Sequence, residues 1–99
     1  MMTYQEWKQK ADALSLDGRA FIAGQRANAA SNETFATLNP STGKVLADIA
    51  KCDTKDVDRA VAAAREAFES GVWSKAAPAQ RKAVLQRLAQ LIDDNAEEL

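Results

Sequence analysis

The stretch from Thr34 to Lys51 constrains the fold most, because it predicts a strand, a tight turn and a second strand. The turn is Asn39–Gly43: its proline fixes φ and biases the preceding asparagine toward extended backbone, and Gly43 tolerates the conformation that closes a turn. The flanking runs Thr34–Leu38 and Lys44–Lys51 are the predicted strands, and strands this close in sequence pair as a hairpin. The rest of the chain must therefore be organised around a β-hairpin.

A short helix is predicted over Thr3–Leu14. Thr3 and Glu6 have the spacing of a capping box, in which each side chain satisfies an otherwise orphan backbone donor. The apolar residues of this helix fall on one face, which predicts an arm that packs on another part of the protein. A helix lying on a membrane surface is the weaker alternative, because the polar face mixes positive and negative charges.

A second, smaller hairpin is predicted from Ala20–Ile22 and Gln25–Arg26. Its two-residue loop is Ala23-Gly24. Because alanine disfavours positive φ, Gly24 alone is expected to adopt it, in a type II turn or in a type I turn with a bulge. The small polar residues of Asn28–Asn32 then predict a surface loop.

Two amphipathic helices are predicted after the hairpins. The first spans Thr54–Ser70, with Asp53 or Thr54 as its N-cap and Asp56 in its positively polarised first turn. The second begins with Pro78 at its first position, where a missing N–H does no harm. Their apolar stripes are Val57, Ala60, Val61, Ala64 and Phe68 in the first helix, and Val84, Leu85, Leu88, Leu91 and Ile92 in the second.

The ends of these helices also carry signals. Gly71 is the predicted stop of the first helix. Asn95 and Glu98 have capping-box spacing and predict the start of a third helix, of which the sequence contains a single turn. This pattern predicts that the chain is the N-terminal piece of a longer protein.

The predicted helices and hairpins make up an α+β fold. Composition predicts that its core is thin and argues against several function classes. Hydrophobic residues make up 46% of the chain, but about a fifth of all residues are alanine, which buries little area. A net charge of −1 with interspersed signs argues against a nucleic-acid partner, and the lack of a long apolar run argues against a membrane span. A single cysteine fits the reducing cytoplasm, and the lack of histidine argues against a usual zinc site.

No group of residues has the composition of a catalytic or cofactor-binding site. Cys52 is the only thiol and no histidine can act as its base, so a structural or incidental role is predicted. The four glycines are dispersed and form neither a dinucleotide fingerprint nor a phosphate loop. Two carboxylate clusters coincide with helix ends and predict solvated caps rather than an acid–base pair. These clusters are Asp53, Asp56 and Asp58, and Asp93, Asp94, Glu97 and Glu98.

Three ordered segments resemble the N-terminal region of the NAD(P)-dependent aldehyde dehydrogenase superfamily. Each segment is weak alone, but their order and spacing are specific, and together they cover nearly all of the chain after Gly18. Ala23 departs from the family pattern, which usually has asparagine there. The segments are Phe21–Gln25; Thr37–Val45 followed by Ile49-Ala50; and Asp56–Phe68 followed by Trp73, Pro78, Arg81 and Leu85–Leu99.

The resemblance implies an α+β piece of a larger α/β enzyme: an arm over residues 1–18, strands and hairpins over 19–51, and helices over 53–99, in the outer part of the cofactor-binding domain. In that family an enzyme cysteine attacks the aldehyde, hydride passes to NAD or NADP, and a glutamate activates the water that releases the acid. The resemblance places this machinery beyond Leu99. The chain alone is therefore expected to have no catalytic residue, no cofactor and no activity, and to require the remainder of a homo-oligomeric parent.

Two finer expectations follow from the resemblance. Some family members bind a monovalent cation through backbone carbonyls just before the Asn-Pro turn, which here are those of Thr37 and Leu38; the other ligands would come from later sequence. The extended N-terminus with Trp7 and Leu14 is similar to members that act on γ-glutamyl-aminobutyraldehyde in polyamine breakdown. The alternative function is a small non-enzymatic interaction module that buries its helical faces against a partner.

Overall fold

Three helices and two antiparallel two-stranded sheets make up the computed structural model, which describes all of residues 1–99. In chain order the elements are α1 (Tyr4–Asp12), β1 (Ala20–Ile22), β2 (Gln25–Ala27), β3 (Thr34–Leu38), β4 (Val45–Ala50), α2 (Thr54–Ser70) and α3 (Pro78–Asp94). The predicted α+β class is confirmed. The chain divides into two compact units, residues 1–60 and 61–99, and α2 contributes residues to both.

The arm helix α1 begins with the predicted capping box. The Glu6 amide donates to Thr3 Oγ1 at 3.3 Å, and the Thr3 amide donates to Glu6 Oε2 at 2.6 Å. The helix ends at Asp12, slightly earlier than predicted, and Ala13 takes the C-cap position. No residue of α1 is buried, so the capping box is the local interaction that stabilises its N-terminus.

The β1–β2 hairpin forms as predicted, with β2 one residue longer than predicted, but its turn is different. Ile22 pairs with Gln25, so Ala23 and Gly24 form a two-residue loop, with φ values of 52° and 75°. The prediction that Gly24 alone adopts positive φ is therefore wrong. A two-residue loop that matches the twist of its strands needs positive φ at both central positions, and the pairing of the strands overrides the preference of alanine.

Ala23→Asn is expected to stabilise this hairpin by about 1 kcal/mol, because asparagine tolerates positive φ and Asn-Gly is a favoured two-residue loop. Amide hydrogen exchange across β1 and β2 should then slow about fivefold. Ala23→Val, which places a β-branched side chain at the same φ, should accelerate the exchange instead. Equal exchange in all three chains would contradict the assignment of strain to Ala23.

The β3–β4 hairpin follows the prediction in outline and differs near its turn. Thr37 pairs with Ala47, whereas Leu38 pairs with Val45, so the register shifts and Leu46 forms a β-bulge. The strand β4 is one residue shorter than predicted at each end. Because a bulge interrupts the ladder and increases local twist, the strict alternation of faces predicted for this strand does not extend to its first residues.

The helix α2 has its predicted bounds and ends at its predicted stop. Gly71 follows it with a φ of 74°, the left-handed conformation that closes many helices. The Ser74 hydroxyl donates to the Phe68 carbonyl at 3.1 Å and so satisfies one of the last carbonyls of the helix. Local chemistry therefore accounts for the position at which this helix stops.

The helix α3 begins at Pro78, as predicted, and a single hydrogen-bonded turn follows its end at Asn95. The Asn95 side-chain amide donates to the Leu91 carbonyl at 2.7 Å, so this residue caps the end of α3. A single turn follows, in which the Leu99 amide donates to the Asn95 carbonyl at 3.2 Å. The predicted capping box between Asn95 and Glu98 is wrong because the capping side chain is engaged with the preceding helix.

Few residues are buried in either unit. Ala29 and Asp56 are 3% and 2% exposed, and Gly71 is also buried. None of the helices combines the length and the apolar character that crossing a membrane requires. Large apolar side chains on both α2 and α3 remain open to solvent, such as Val61 at 60% and Leu88 at 53%. Apolar stripes exposed to this extent indicate surfaces that pack against further protein.

Candidate functional site

The Asn39–Gly43 turn closes the β3–β4 hairpin as predicted. The Asn39 amide donates to the Lys44 carbonyl at 2.8 Å, and the Gly43 amide donates to the Asn39 carbonyl at 2.8 Å. Asn39 Oδ1 also accepts from the Ser41 amide at 2.9 Å, the local bond that favours asparagine in turns. Gly43 has a φ of 71° and takes the position that needs a permissive residue. The turn is therefore fixed by its own backbone and by the side chains of Asn39 and Thr42, since Thr42 Oγ1 accepts from the Lys44 amide at 3.3 Å.

Thr37 and Leu38, the predicted carbonyl ligands of a monovalent cation, lie just before this turn and at the register shift of β3. Carbonyl oxygens are hard ligands that suit hard cations. No group of three histidine, cysteine, aspartate or glutamate side chains could hold a metal ion. The donor chemistry fits a cation, but two carbonyls are too few for a complete site, so the cation stays a prediction.

Asp56 is the one buried charged residue, and it joins three segments of the first unit. Its Oδ1 accepts from the Ala30 amide at 2.9 Å, and its Oδ2 accepts from the Asp53 amide at 3.0 Å. Arg59, one turn along α2, donates to Oδ1 at 2.5 Å. The predicted role of a solvated cap is therefore wrong for Asp56, because its carboxylate is enclosed by donors from the loop, the linker and the helix. We call this set of contacts the Asp56 tether.

One contact of the Asp56 tether, the bond between Asp56 and the Asp53 amide, could have been predicted from the sequence. Asp53 and Asp56 have capping-box spacing: the side chain of Asp53 caps α2, and that of Asp56 accepts from the Asp53 amide. The bond to Ala30, which lies 26 residues earlier, has no local signal. That bond holds the loop inward, so the predicted surface loop over Asn28–Asn32 is wrong for Ala29, which is buried.

The donors around Asp56 make the tether sensitive to acid. The pKa of the Asp56 carboxyl is lowered, chiefly by the Asp53 amide and then by Arg59 and the Ala30 amide, while burial acts in the opposite direction. A carboxyl whose pKa is lower in the folded state adds stability above its unfolded pKa of about 4, and this contribution disappears as the pH falls through the folded value.

Hydrogen exchange in residues 28–33, corrected for its intrinsic dependence on pH, is therefore expected to be constant from about pH 7 to pH 5 and to rise below about pH 4. Asp56→Asn cannot ionise and should show no such rise. A rise of equal size in this variant would assign the transition to other carboxyls, such as Glu6 and Asp17, whose pKa values are also lowered.

The remaining candidate groups do not converge on a reactive centre. Cys52 is an exposed free thiol in the linker between β4 and α2. The carboxylates at the end of α3 are exposed, and Asp94 accepts from Gln90 Nε2 at 2.9 Å, a spacing that is common on the solvated face of a helix. This cluster therefore has the environment predicted for it.

A shallow groove of about 550 Å³ runs along α3 in the second unit. Its walls combine apolar side chains with two cationic ones and contain no acid, thiol or imidazole. Such a groove suits packing rather than chemistry. It is lined by Trp73, Pro78, Arg81, Lys82, Leu85, Gln86 and Ala89.

One protein family has this order of elements, with an Asn-Pro hairpin followed by two amphipathic helices. The sequence profile of the aldehyde dehydrogenase family matches residues 27–99, which is well over half of the chain. The chain belongs to the aldehyde dehydrogenase family, and the family resemblance predicted from its sequence segments is confirmed.

Individual relatives match the chain over nearly its whole length. It is 50% identical to the NADP/NAD-dependent aldehyde dehydrogenase PuuC of Escherichia coli, across 94% of this chain and 19% of that protein. The solved structure of the indole-3-acetaldehyde dehydrogenase AldA of P. syringae, a mutant in complex with NAD+ and IAA, has a TM-score of 0.91 at 50% identity and covers 99% of this chain and 20% of that one.

The γ-glutamyl-γ-aminobutyraldehyde dehydrogenase of Burkholderia cenocepacia has a TM-score of 0.90 at 45% identity, across 98% of this chain and 20% of that one. The chain therefore spans about a fifth of the length of the relatives that it matches.

Proposed function

We propose that this chain supplies the N-terminal part of the cofactor-binding domain of an NAD(P)-dependent aldehyde dehydrogenase, which oxidises an aldehyde to a carboxylic acid. Residues 1–18 form its arm, residues 19–51 its outer hairpins and residues 53–99 its first helices. The observation that carries the proposal is the superposition on AldA, with a TM-score of 0.91 over 99% of this chain and only 20% of that enzyme.

The exposed apolar stripes support this assignment. Val57 and Phe68 on α2 are 57% and 64% exposed, and Leu85 and Ile92 on α3 are 57% and 50% exposed. Amphipathic helices are stabilised mainly by tertiary packing of their apolar faces, so these stripes call for a neighbouring element. We assign that element to the remainder of the parent chain, and we take the parent to be a homo-oligomer.

In this proposal the chain contributes a scaffold and not the reacting groups. The nucleophilic cysteine, the glutamate and the cofactor contacts are supplied by sequence beyond Leu99. Cys52 takes no part, because no histidine is present to act as its base. NAD or NADP accepts the hydride in the parent enzyme, and no residue of this chain is assigned to it. The carbonyls of Thr37 and Leu38 are assigned to a monovalent cation whose other ligands lie elsewhere in the parent.

The proposed substrate is an aldehyde of the γ-glutamyl-aminobutyraldehyde type, which occurs in polyamine breakdown. The support is the 45% identity with the Burkholderia cenocepacia enzyme of that name and the extended N-terminus that carries Trp7 and Leu14. We place the enzyme in the cytoplasm, since the single cysteine of this chain fits a reducing compartment.

A graft tests whether this chain can serve as the N-terminal part of such an enzyme. Residues 1–99 replace the aligned segment of AldA, and the reduction of NAD+ is measured with indole-3-acetaldehyde. The graft should reach within about tenfold of the rate of AldA, a difference of about 1.4 kcal/mol in the barrier. AldA that lacks the segment is the negative control. A folded graft with no more activity than this control would contradict the proposal.

The behaviour of the isolated chain in solution distinguishes a part of a larger enzyme from an independent interaction module. As part of a larger enzyme, the chain alone should form no NADH, bind a dye for exposed apolar surface and melt without a cooperative transition. Circular dichroism, dye fluorescence and size-exclusion chromatography measure these properties. A monomer that melts cooperatively and binds no dye would favour the module instead.

A further inference from the structure

The shallow groove along α3, which we call the α3 groove, has apolar walls that are open to solvent. Trp73 and Leu85, which line it, are 47% and 57% exposed. A groove this shallow leaves a small molecule largely in water, whereas a segment of protein can cover its whole length. Apolar side chains that are exposed together in this way mark a surface that packs against protein.

Local hydrogen bonds hold the two ends of the connector that carries Trp73 into the groove wall. The Ala76 amide donates to the Trp73 carbonyl at 3.1 Å, which fixes the turn that leads into α3. The Ala77 amide donates to Gln80 Oε1 at 3.3 Å, which fixes the start of the helix. The α3 groove is therefore formed by this chain before anything occupies it.

Arg81 is the charged group that becomes buried when the α3 groove is covered. It is half-buried in the groove wall, and its side chain forms no hydrogen bond or ion pair within the chain. The nearest carboxylates further along α3, those of Asp93 and Asp94, are about three turns away. A cation in the first turn of a helix is unfavourable for the helix itself, so local helix chemistry does not account for Arg81.

Covering the groove sets the chemistry of the segment that occupies it. A guanidinium that loses water without gaining a partner is strongly destabilising, whereas a carboxylate that accepts two N–H bonds matches its planar fork. Lys82 also lines the groove but is exposed, so its ammonium can remain in water. The occupant must therefore present apolar side chains to Trp73 and Leu85 and a carboxylate to Arg81.

We propose that the α3 groove docks a segment of the same parent chain, downstream of Leu99, which brings apolar side chains and one carboxylate, and that this carboxylate pairs with Arg81. The inference rests on the proposed function, because only that proposal supplies the rest of a parent chain. This chain spans about a fifth of the length of its relatives, so most of the parent is available to provide the segment.

The experiment measures the melting temperature of the graft, in which AldA supplies the remainder of the chain. Arg81→Met keeps the apolar length of the side chain and removes its charge, and it should lower the melting temperature by about 5 °C at neutral pH. Arg81→Lys, which keeps the charge but loses the fork, should lower it by less. Arg87→Met is the matched control, because Arg87 is an exposed arginine of α3 that does not line the groove. It should change the melting temperature by less than about 1 °C.

The pH dependence of the loss identifies the partner as a carboxylate. A buried carboxyl that has lost its arginine has a pKa above its unfolded value of about 4, so it takes up a proton as the pH falls. The loss of melting temperature in Arg81→Met, relative to the unmodified graft, should therefore shrink by about half or more between about pH 7 and pH 5.

A loss that is the same at both pH values would overturn the carboxylate, and equal melting temperatures in Arg81→Met and Arg87→Met would overturn the docking. A loss that decreases as the protein concentration rises would assign the groove to a second copy and overturn the assignment to the same chain. If Arg81→Met does not fold, Arg81→Lys beside Arg87→Met decides the question. A graft that melts as expected but oxidises no aldehyde supports the inference and contradicts the proposed function alone.

Discussion

Gly18→Ala is expected to separate the start of β1 from the end of β4. A Cβ at position 18 would lie 1.9 Å from the Asp48 carbonyl oxygen and 3.0 Å from Ile49 Cα, so it would collide with backbone that cannot rotate away. The Gly18 carbonyl also accepts from the Ala50 amide at 2.8 Å, a bond that the displacement would break. Overpacking of this kind destabilises a structure by about 2–3 kcal/mol.

The measurement is hydrogen exchange by mass spectrometry in the graft, in peptides that contain Ala50. The exchange should be faster by roughly 30- to 150-fold in Gly18→Ala, which corresponds to that loss of stability. Gly24→Ala is the control: its new Cβ would meet no atom within 4 Å, and its only penalty is a φ of 75°. It should leave the exchange at Ala50 unchanged. Unaltered exchange in Gly18→Ala would contradict the close approach of the two segments.

Asp56→Ala is expected to release the loop before β3 and the linker after β4 together. The substitution removes the acceptor of the Ala30 and Asp53 amides and leaves the Arg59 guanidinium without its carboxylate. Buried donors that lose their acceptor destabilise the segments to which they belong. Exchange in residues 28–33 and 51–53 of the graft should therefore rise by about tenfold or more.

Asp58→Ala removes an equal charge from the same helix and should alter the exchange of neither segment. Exchange that rises throughout α2 in Asp56→Ala, with no excess in the loop and linker, would indicate a general loss of the helix and would contradict the tether. Exchange that rises in only one of the two segments would contradict its role at both sides of the hairpin.

Local chemistry allowed much of the fold to be predicted from the sequence. The bounds of α2 follow from its caps, its apolar stripe and Gly71, and the Asn39–Gly43 turn follows from one proline, one glycine and one asparagine. The family could be predicted because the segments that carry the resemblance keep their order and spacing. The helix bounds and the turn depend on residues that are neighbours in sequence, and the family resemblance depends on the order of short local segments.

Predictions of local structure were wrong where a distant or competing contact overrides the preference of the residue itself. Ala23 adopts positive φ because the pairing of β1 with β2 requires it. Asp56 is buried because it bonds Ala30, far away in sequence. The Asn95 side chain caps the preceding helix rather than the turn that follows it. The cation proposed for the Thr37 and Leu38 carbonyls stays a prediction from the family resemblance, because no group of side chains in this chain forms a metal site.

We propose that this chain can replace the N-terminal part of a related aldehyde dehydrogenase. The most direct measurement is the initial rate of NADH formation by the graft with indole-3-acetaldehyde, beside the same graft carrying Leu88→Asp or Arg87→Asp. We expect activity within about tenfold of AldA for the graft and for Arg87→Asp, and loss of activity for Leu88→Asp, which places a charge on the apolar stripe of α3. A folded but inactive graft, or full activity in Leu88→Asp, would contradict the account.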